Sequence, residues 1–103
     1  MAIGEGQSSY AWNFNSILNN APPNSGVYAI LNTAVCIYAG EGGDIQACLL
    51  HHFTGDTRII RNAPTRFQFE LIPAAQRVAR QNQLIAALNS VCNQKTPETV
   101  LRM

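Results

Sequence analysis

Four side chains that can take part in hydrogen bonding, proton transfer or nucleophilic attack occur at regular spacings in the sequence. Tyr28 and Tyr38 are ten residues apart, and Cys48 and His52 are four residues apart. Residues four apart are neighbours on a helix surface, so in a helix the thiol and the imidazole share one face. An adjacent imidazole can lower the pKa of a thiol and make it a nucleophile. The alternatives are an inert small residue at Cys48, a surface histidine, and tyrosines that only pack in a sheet.

A second group of candidates consists of arginines concentrated in one stretch of the chain, where Asp56 and Glu70 are the only acids. They are Arg58, Arg61, Arg66, Arg77 and Arg80. Guanidinium groups on a shared face can follow a phosphate backbone. However, seven basic and six acidic residues give the whole chain a formal net charge of +1, without the basic excess of a dedicated nucleic-acid binder. A solvated arginine-rich surface is therefore the alternative.

Length and composition are those of one globular domain. The chain has 103 residues, of which 47% are hydrophobic and 13% are charged, which suits a single core without disulfides. The three cysteines have no metal-binding spacing, and their odd number argues against a disulfide scaffold. The first residues lack the basic and apolar segments of a signal peptide, and no apolar run approaches the roughly 20 residues of a membrane span. We therefore expect a cytoplasmic protein with no membrane partner.

Hydrophobic patterning places the two tyrosines on a β-hairpin and the Cys–His pair on a helix. Gly26–Leu31 and Val35–Ala39 are β-branched and aromatic runs separated by a polar turn, which predicts two antiparallel strands. Asp44 is a predicted helix N-cap. It precedes Ile45–Phe53, a segment whose apolar residues recur every four positions, which predicts a helix.

The second half of the chain predicts one further strand and a long helix. Residues 58–65 are predicted to be connecting chain. Arg66–Ile72 alternates apolar and polar side chains, as a strand with one buried face does. Ala74–Leu88 follows with an apolar stripe that begins at Val78. The order β-β-α-β-α indicates an α+β fold with a small three-stranded sheet. The predicted organisation is a single domain with an N-terminal arm and loop at residues 1–25, a core at 26–93 and a polar tail at 94–103.

The two tyrosine tripeptides resemble the paired strand signature of the GIY-YIG nuclease superfamily. They are GVY at Gly26–Tyr28 and YAG at Tyr38–Gly40, and the spacing between their tyrosines is that of the family. After the glycine-rich turn, Cys48 stands where the family has an arginine. His52 stands where the family has a histidine or a tyrosine one helical turn later.

Two positions depart from the family pattern. Cys48 replaces the arginine that in the family contacts the scissile phosphate, and so removes a bidentate phosphate contact. Gln81 replaces the glutamate that in the family holds the single divalent cation, and a neutral amide oxygen is a weaker Mg²⁺ ligand than a carboxylate. The match resumes at Leu84-Ile85 and ends at Asn93, so the resemblance covers about two-thirds of the chain.

The resemblance implies a GIY-YIG-like α+β fold, with a central three-stranded antiparallel sheet flanked by helices. It also implies that Tyr28, Tyr38 and His52 are catalytic residues of an ancestral site, where the Tyr28 hydroxyl would help to deprotonate or position the attacking water. Because both charged groups are missing, the leading hypothesis is a catalytically degenerate domain that binds DNA or RNA without efficient cleavage. Its predicted nucleic-acid-binding residues are Arg58, Arg61, Arg77 and Arg80.

Two other hypotheses stay open. One is a weakly active or repurposed metal-dependent endonuclease, in which Glu41 or Glu70 supplies a relocated metal site. The other is a protein-interaction module, or a homodimer, that uses the surface of low charge. No cofactor is expected for the leading hypothesis, and Mg²⁺ is expected only with a relocated metal site. We also expect Cys48 and Gln81 to project from two neighbouring helices toward the sheet edge that bears the tyrosines.

Overall fold

An antiparallel sheet of four strands forms the centre of the molecule, in a computed structural model that describes residues 9–93. The strands are β1 (Tyr10–Ala11), β2 (Gly26–Leu31), β3 (Cys36–Gly42) and β4 (Arg66–Leu71), in the spatial order β1-β4-β2-β3. The α-helices are α1 (Phe14–Asn20), α2 (Ile45–Gly55), α3 (Thr57–Arg61) and α4 (Arg77–Leu88). Short 3₁₀ turns at Ala74–Gln76 and Val91–Asn93 precede and follow α4. Residues 1–8 of the predicted arm and the predicted tail at 94–103 lie outside the described residues.

The predicted hairpin of β2 and β3 is confirmed. Tyr28 pairs with Gly40 and Ile30 pairs with Tyr38. The β-branched and aromatic side chains of both strands favour this pairing. The register shifts between Ile30 and Leu31. β3 continues to Gly42. Gly40 and Gly42, which were expected in the glycine-rich turn after the hairpin, therefore belong to this strand.

Alternate residues of β2 divide the core into two layers, because successive side chains of a strand point to opposite faces. The buried residues of the layer beside α4 are Val27, Ala29, Leu31, Cys36, Ala39 and Leu84. Those of the opposite layer are Ile17, Ala21, Tyr28, Ile30, Ile37, Ile45, Leu49, Ile59 and Phe67. Since Ile45 and Leu49 belong to α2, α2 and α4 lie against opposite faces of the sheet. An antiparallel sheet flanked by helices confirms the predicted α+β class.

The sheet has one strand more than the three expected. Tyr10 pairs with Phe67, and Ala11 pairs with Arg66 of β4. The Tyr10 ring also lies 5.5 Å from the ring of Phe67 and 5.7 Å from that of Phe69. Helix α1 follows directly, with Ile17 fully buried. Residues from the predicted arm therefore contribute a strand and a helix to the same core.

Two further predictions about the helices are corrected. Residues 58–61, predicted to be connecting chain, instead belong to α3. The helix forms because the Asp56 carboxylate accepts from the amide of Ile59 and because Ile59 is 1% exposed. The predicted helix at Ala74–Leu88 becomes α-helical only at Arg77. Val78, predicted to be part of its buried stripe, is 59% exposed. No helix within residues 9–93 has the length and apolar character needed to cross a membrane.

Candidate functional site

A chain of hydrogen bonds links β2 to the end of α2. The Tyr28 hydroxyl oxygen lies 2.8 Å from Nε2 of His52, and Nδ1 of His52 lies 2.9 Å from Oδ2 of Asp56. Tyr28 is 3% exposed and His52 is 9% exposed. The Tyr38 ring packs 4.9 Å from the His52 ring and 6.2 Å from the Tyr28 ring. We call Tyr28, Tyr38, His52 and Asp56 the Tyr–His–Asp cluster.

Local sequence explains how this cluster forms. Asp56 ends α2 four residues after His52, so its carboxylate and the imidazole lie on the same side of the helix. On the sheet, Gly40 is the direct partner of Tyr28. A Cβ atom at Gly40 would collide with the phenol of Tyr28 and with the ring of Tyr38. The glycine is therefore required for the two tyrosine rings to occupy this face of the hairpin.

Burial determines the protonation states in the cluster. It lowers the pKa of His52, and the hydrogen bond and charge of Asp56 only partly oppose this. A neutral His52 that donates from Nδ1 to Asp56 has Nε2 free to accept the Tyr28 hydroxyl proton. Burial also raises the pKa of Tyr28, and the neighbouring Tyr38 and Cys48 raise it further. At neutral pH the phenol is therefore protonated and donates to His52, which can take its proton if a reacting group approaches.

Asp56 was not predicted from sequence as a site residue. Burial acts to raise its pKa, but hydrogen bonds from His52 and from the amides of Ile59 and Arg58 outweigh burial, and the pKa is lowered. The carboxylate is therefore ionised and fixes the tautomer of His52. A histidine followed four residues later by an aspartate at the end of a predicted helix is the signal that could have identified it.

Cys48 lies next to Tyr28 on the same face of the sheet. A Cβ atom at Gly42 would meet the Cys48 sulfur, so the thiol packs against the end of β3. Burial raises the pKa of Cys48, although the neighbouring Tyr28 hydroxyl and the charge of Arg77 act in the opposite direction. A protonated thiol is a poor nucleophile. The geometry therefore favours a packing role for Cys48 over a reactive one.

Gln81 approaches β3 from the other face of the sheet. Its Nε2 donates to the carbonyl oxygen of Ala39 over 3.3 Å. The expectation that Cys48 and Gln81 project from neighbouring helices is wrong, because α2 and α4 are separated by the sheet. The two side chains nevertheless contact the same strand, Cys48 at Gly42 and Gln81 at Ala39. β3 is at the edge of the sheet formed by residues 9–93, so both sides can be reached from that edge.

The four predicted nucleic-acid-binding arginines fall into two separate pairs. In α4, Nε of Arg77 lies 2.8 Å from Glu41, and Nε of Arg80 lies 2.6 Å from Glu70. Arg77 also donates to the Ser25 hydroxyl over 3.1 Å. In α3, Arg58 and Arg61 are exposed and line a cavity. The structure therefore does not bring the four together on one surface.

The residues at this site do not fit the Mg²⁺ ion that the resemblance implies. Gln81 supplies only a neutral amide, which already donates to Ala39. Glu41 and Glu70, the two carboxylates considered for a relocated metal site, are each held by an arginine. Within residues 9–93, no three His, Cys, Asp or Glu side chains come together as metal ligands would. A divalent cation needs anionic oxygen ligands, and the described carboxylates all have other partners.

Comparisons with known proteins identify the fold. No protein family and no curated protein matches the amino-acid sequence. Solved structures of the GIY-YIG N-terminal endonuclease domain of UvrC from Thermotoga maritima do match. The magnesium-bound form has a TM-score of 0.66 at 19% identity, over 80% of this chain and 100% of that chain. A tyrosine-to-phenylalanine mutant of the same domain, bound to its catalytic divalent cation, has a TM-score of 0.67 at 19% identity, over 81% and 100%. The chain therefore has a GIY-YIG-like fold, as the tyrosine signature predicts.

Proposed function

We propose that this chain is a nucleic-acid-binding domain with a degenerate GIY-YIG-type site that does not cleave its ligand efficiently. The proposal combines the fold, which is similar to that of an endonuclease domain, with the chemistry of the residues at the corresponding positions. Tyr28, Tyr38 and His52 keep the groups that the family uses around the attacking water. Cys48 and Gln81 lack the groups that the family uses on the phosphate and the cation.

One observation supports the loss of cleavage above all others: every acidic side chain in residues 9–93 is engaged. Glu41 and Glu70 pair with arginines, Asp56 pairs with His52, and Asp44 accepts from the amide of Ala47. A cation at this site would have to displace one of these partners. Without it, nothing replaces the positive charge that stabilises the leaving oxygen. Each missing 1.4 kcal/mol of transition-state stabilisation lowers the rate about tenfold.

The experiment is a paired cleavage and binding assay on the purified chain. Supercoiled plasmid is incubated with Mg²⁺ or Mn²⁺, and labelled DNA and RNA duplexes are titrated by fluorescence anisotropy. We expect binding that weakens as salt is raised, and no nicking above a protein-free control. Nicking that requires the metal and disappears in Tyr28→Phe would overturn the degenerate site. An absence of binding to both duplexes at low salt would overturn the nucleic-acid function and favour the protein-interaction hypothesis.

A second function, weak residual cleavage, is favoured by the intact hydrogen-bond chain from Tyr28 through His52 to Asp56. Such a chain is suited to taking a proton from water or a hydroxyl group. The same plasmid assay separates the two functions, since only the second leads to nicked product. A cytoplasmic location and a homo-oligomeric state stay predictions.

A further inference from the structure

Two of the three described arginines that have no carboxylate partner lie on α3. Residues 9–93 contain five arginines and no lysine. Arg77 and Arg80 are neutralised by Glu41 and Glu70, and Arg66 donates to the carbonyl oxygen of Asn32 over 3.1 Å. Within the described residues, neither Arg58 nor Arg61 has an ion-pair partner. Arg66 keeps its charge because a carbonyl oxygen is neutral, but it is half-buried, whereas Arg58 and Arg61 are exposed. The exposed positive charge without an ion-pair partner among the described residues is therefore on α3.

These two arginines also line a cavity. Arg58 and Arg61 are three residues apart in α3, so they share one face of the helix. The cavity has a volume of about 200 Å³, and its other lining residues are Asn62, Val91 and Cys92. Among the described residues, no acidic side chain lines it. Since a water molecule takes roughly 30 Å³ in the liquid, the space admits a tetrahedral phosphate.

The remaining wall of the cavity is fixed by hydrogen bonds. The Asn62 amide donates to the carbonyl oxygen of Arg58 over 2.8 Å and to the Cys92 sulfur over 3.6 Å. The Cys92 thiol donates to the same carbonyl oxygen of Arg58 over 3.8 Å. The backbone that carries both arginines is therefore held in place, while their guanidinium groups stay exposed. Such preorganisation reduces the cost of ordering a binding site.

The cavity adjoins the Tyr–His–Asp cluster. Asp56 of the cluster is the N-cap of α3, with its carboxylate 3.4 Å from the amide of Ile59. Cys92, which lines the cavity, and Tyr38 of the cluster pack against the same layer of the core. A nucleic-acid strand bound in the cavity would therefore lie close to the Tyr–His–Asp cluster.

We propose that Arg58, Arg61 and Asn62 form a binding site for a phosphate of a nucleic acid, which places the strand beside Tyr38 and His52. Two guanidinium groups can each bind phosphate oxygens in bidentate fashion. Arg77 and Arg80 instead act within the fold, by holding Glu41 and Glu70. This inference rests on the proposed nucleic-acid function and specifies where the ligand binds. The phosphate is either an internal diester or a terminal monoester.

The test compares two double variants of the full chain. Arg58→Gln with Arg61→Gln removes the proposed site, and both side chains are exposed, so the fold should persist. Glu70→Gln with Arg80→Gln is the control, because it removes a complete ion pair and leaves the net charge unchanged. Anisotropy of labelled duplexes, with and without a 5′-phosphate, is measured over a series of salt concentrations. Circular dichroism melting confirms that each variant is folded.

The slope of the logarithm of the association constant against the logarithm of salt concentration measures the number of phosphate contacts. We expect Arg58→Gln with Arg61→Gln to reduce the magnitude of this slope by about one to two, and the control to keep the wild-type slope. Arg58→Lys with Arg61→Lys should restore the slope but not the full affinity, because an ammonium lacks the guanidinium fork. A site for terminal phosphate requires the 5′-phosphorylated duplex, whereas a site for an internal diester does not distinguish the two.

A second readout is direct. Titration with inorganic phosphate should shift the guanidinium Nε–H signals of Arg58 and Arg61 in nitrogen–proton NMR spectra, and not those of Arg77 and Arg80. If wild type binds but the Arg58/Arg61 variant keeps its slope, or the control loses as much, this inference is wrong while the nucleic-acid function stands. If wild type binds no duplex at low salt, both are wrong.

Discussion

The phenol of Tyr28 and the imidazole of His52 are joined by a hydrogen bond of 2.8 Å across the interface between β2 and α2. The bond connects β2, the first strand of the tyrosine hairpin, to α2, the helix that follows the hairpin. Asp56 extends the connection by 2.9 Å to the start of α3. Two hydrogen bonds therefore link β2, α2 and the start of α3. A substitution at Tyr28 or at Asp56 should alter the environment of His52.

Removing the hydroxyl group in Tyr28→Phe should destabilise the fold by about 1–3 kcal/mol, because Nε2 of the buried His52 loses its partner. Urea unfolding monitored by fluorescence measures this difference. Tyr38→Phe is the matched control, since it keeps its ring against His52 and leaves the Tyr28 bond intact. Equal stability losses in the two variants would show that the Tyr28–His52 bond is not the cause.

Stability should fall as pH is lowered below about 6.5, the ordinary pKa of histidine. Burial lowers the pKa of His52 in the folded protein from 6.5, so the unfolded chain takes up the proton first as pH falls. Stability is thus constant above the unfolded pKa and declines down to the folded pKa, with a slope of at most about 1.4 kcal/mol per pH unit for one proton. The lowered pKa of Asp56 adds a further loss only below its ordinary value of 3.8.

Denaturant unfolding at a series of pH values measures this decline. His52→Gln should flatten the curve below about pH 6.5. His51→Gln, a change at the exposed neighbouring histidine, should keep the decline, because burial is the largest cause of the lowered pKa of His52. A wild-type curve that is already flat in this range would contradict the burial of an uncharged His52.

Gly40→Ala should destabilise the fold by about 1–3 kcal/mol, because the added methyl group overpacks the space that the Tyr28 and Tyr38 rings occupy. The new Cβ would collide with both rings. Thermal melting gives the loss, and the near-ultraviolet circular dichroism of the tyrosines reports the displaced rings. Gly55→Ala is the control, since a Cβ there meets no atom of another described element within 4 Å. A neutral Gly40→Ala would mean that the tyrosines can move aside without cost.

Introducing the two charged groups that the family resemblance implies at Cys48 and Gln81 tests the proposed origin of the site. Cys48→Arg with Gln81→Glu should gain weak Mg²⁺-dependent nicking of supercoiled plasmid. Each single change should stay at background, because either alone leaves the charge stabilisation half-built. Both positions are partly exposed, so stability should change by less than about 1 kcal/mol. Activity in Gln81→Glu alone would show that the arginine is dispensable, and an inactive double variant would contradict the proposed correspondence of the site.

Contiguous patterns in the sequence account for most of the fold. Gly26–Leu31 and Arg66–Leu71 are strands whose side-chain types and alternation are visible in the chain itself. Tyr10–Ala11 is too short to show a period, and it becomes a strand only because β4 offers an unpaired edge and Phe67 and Phe69 offer aromatic contacts. Helix α3 was not predicted for a similar reason. Its five residues are too few to show a helical periodicity, and the helix depends on its Asp56 N-cap.

Some residues of the candidate site could likewise be predicted from the sequence and others could not. The resemblance to the family predicted that Tyr28, Tyr38 and His52 belong to one site, and the structure brings their rings together. The addition of Asp56 to this group was readable from its position four residues after His52. The partners of the α4 arginines were not readable, because 36 residues separate Arg77 from Glu41 and 10 separate Arg80 from Glu70.

The sequence by itself predicted three of the four described strands and the main helices, and its resemblance to the family set Cys48 and Gln81 against an arginine and a glutamate. Only the tertiary structure decided which charges stay available. It pairs Arg77 and Arg80 with carboxylates, leaves Arg58 and Arg61 beside a cavity, and separates α2 from α4 by the sheet. The physical reason is that an ion pair forms between groups a few ångströms apart in space, and that distance depends on how the sheet packs its helices.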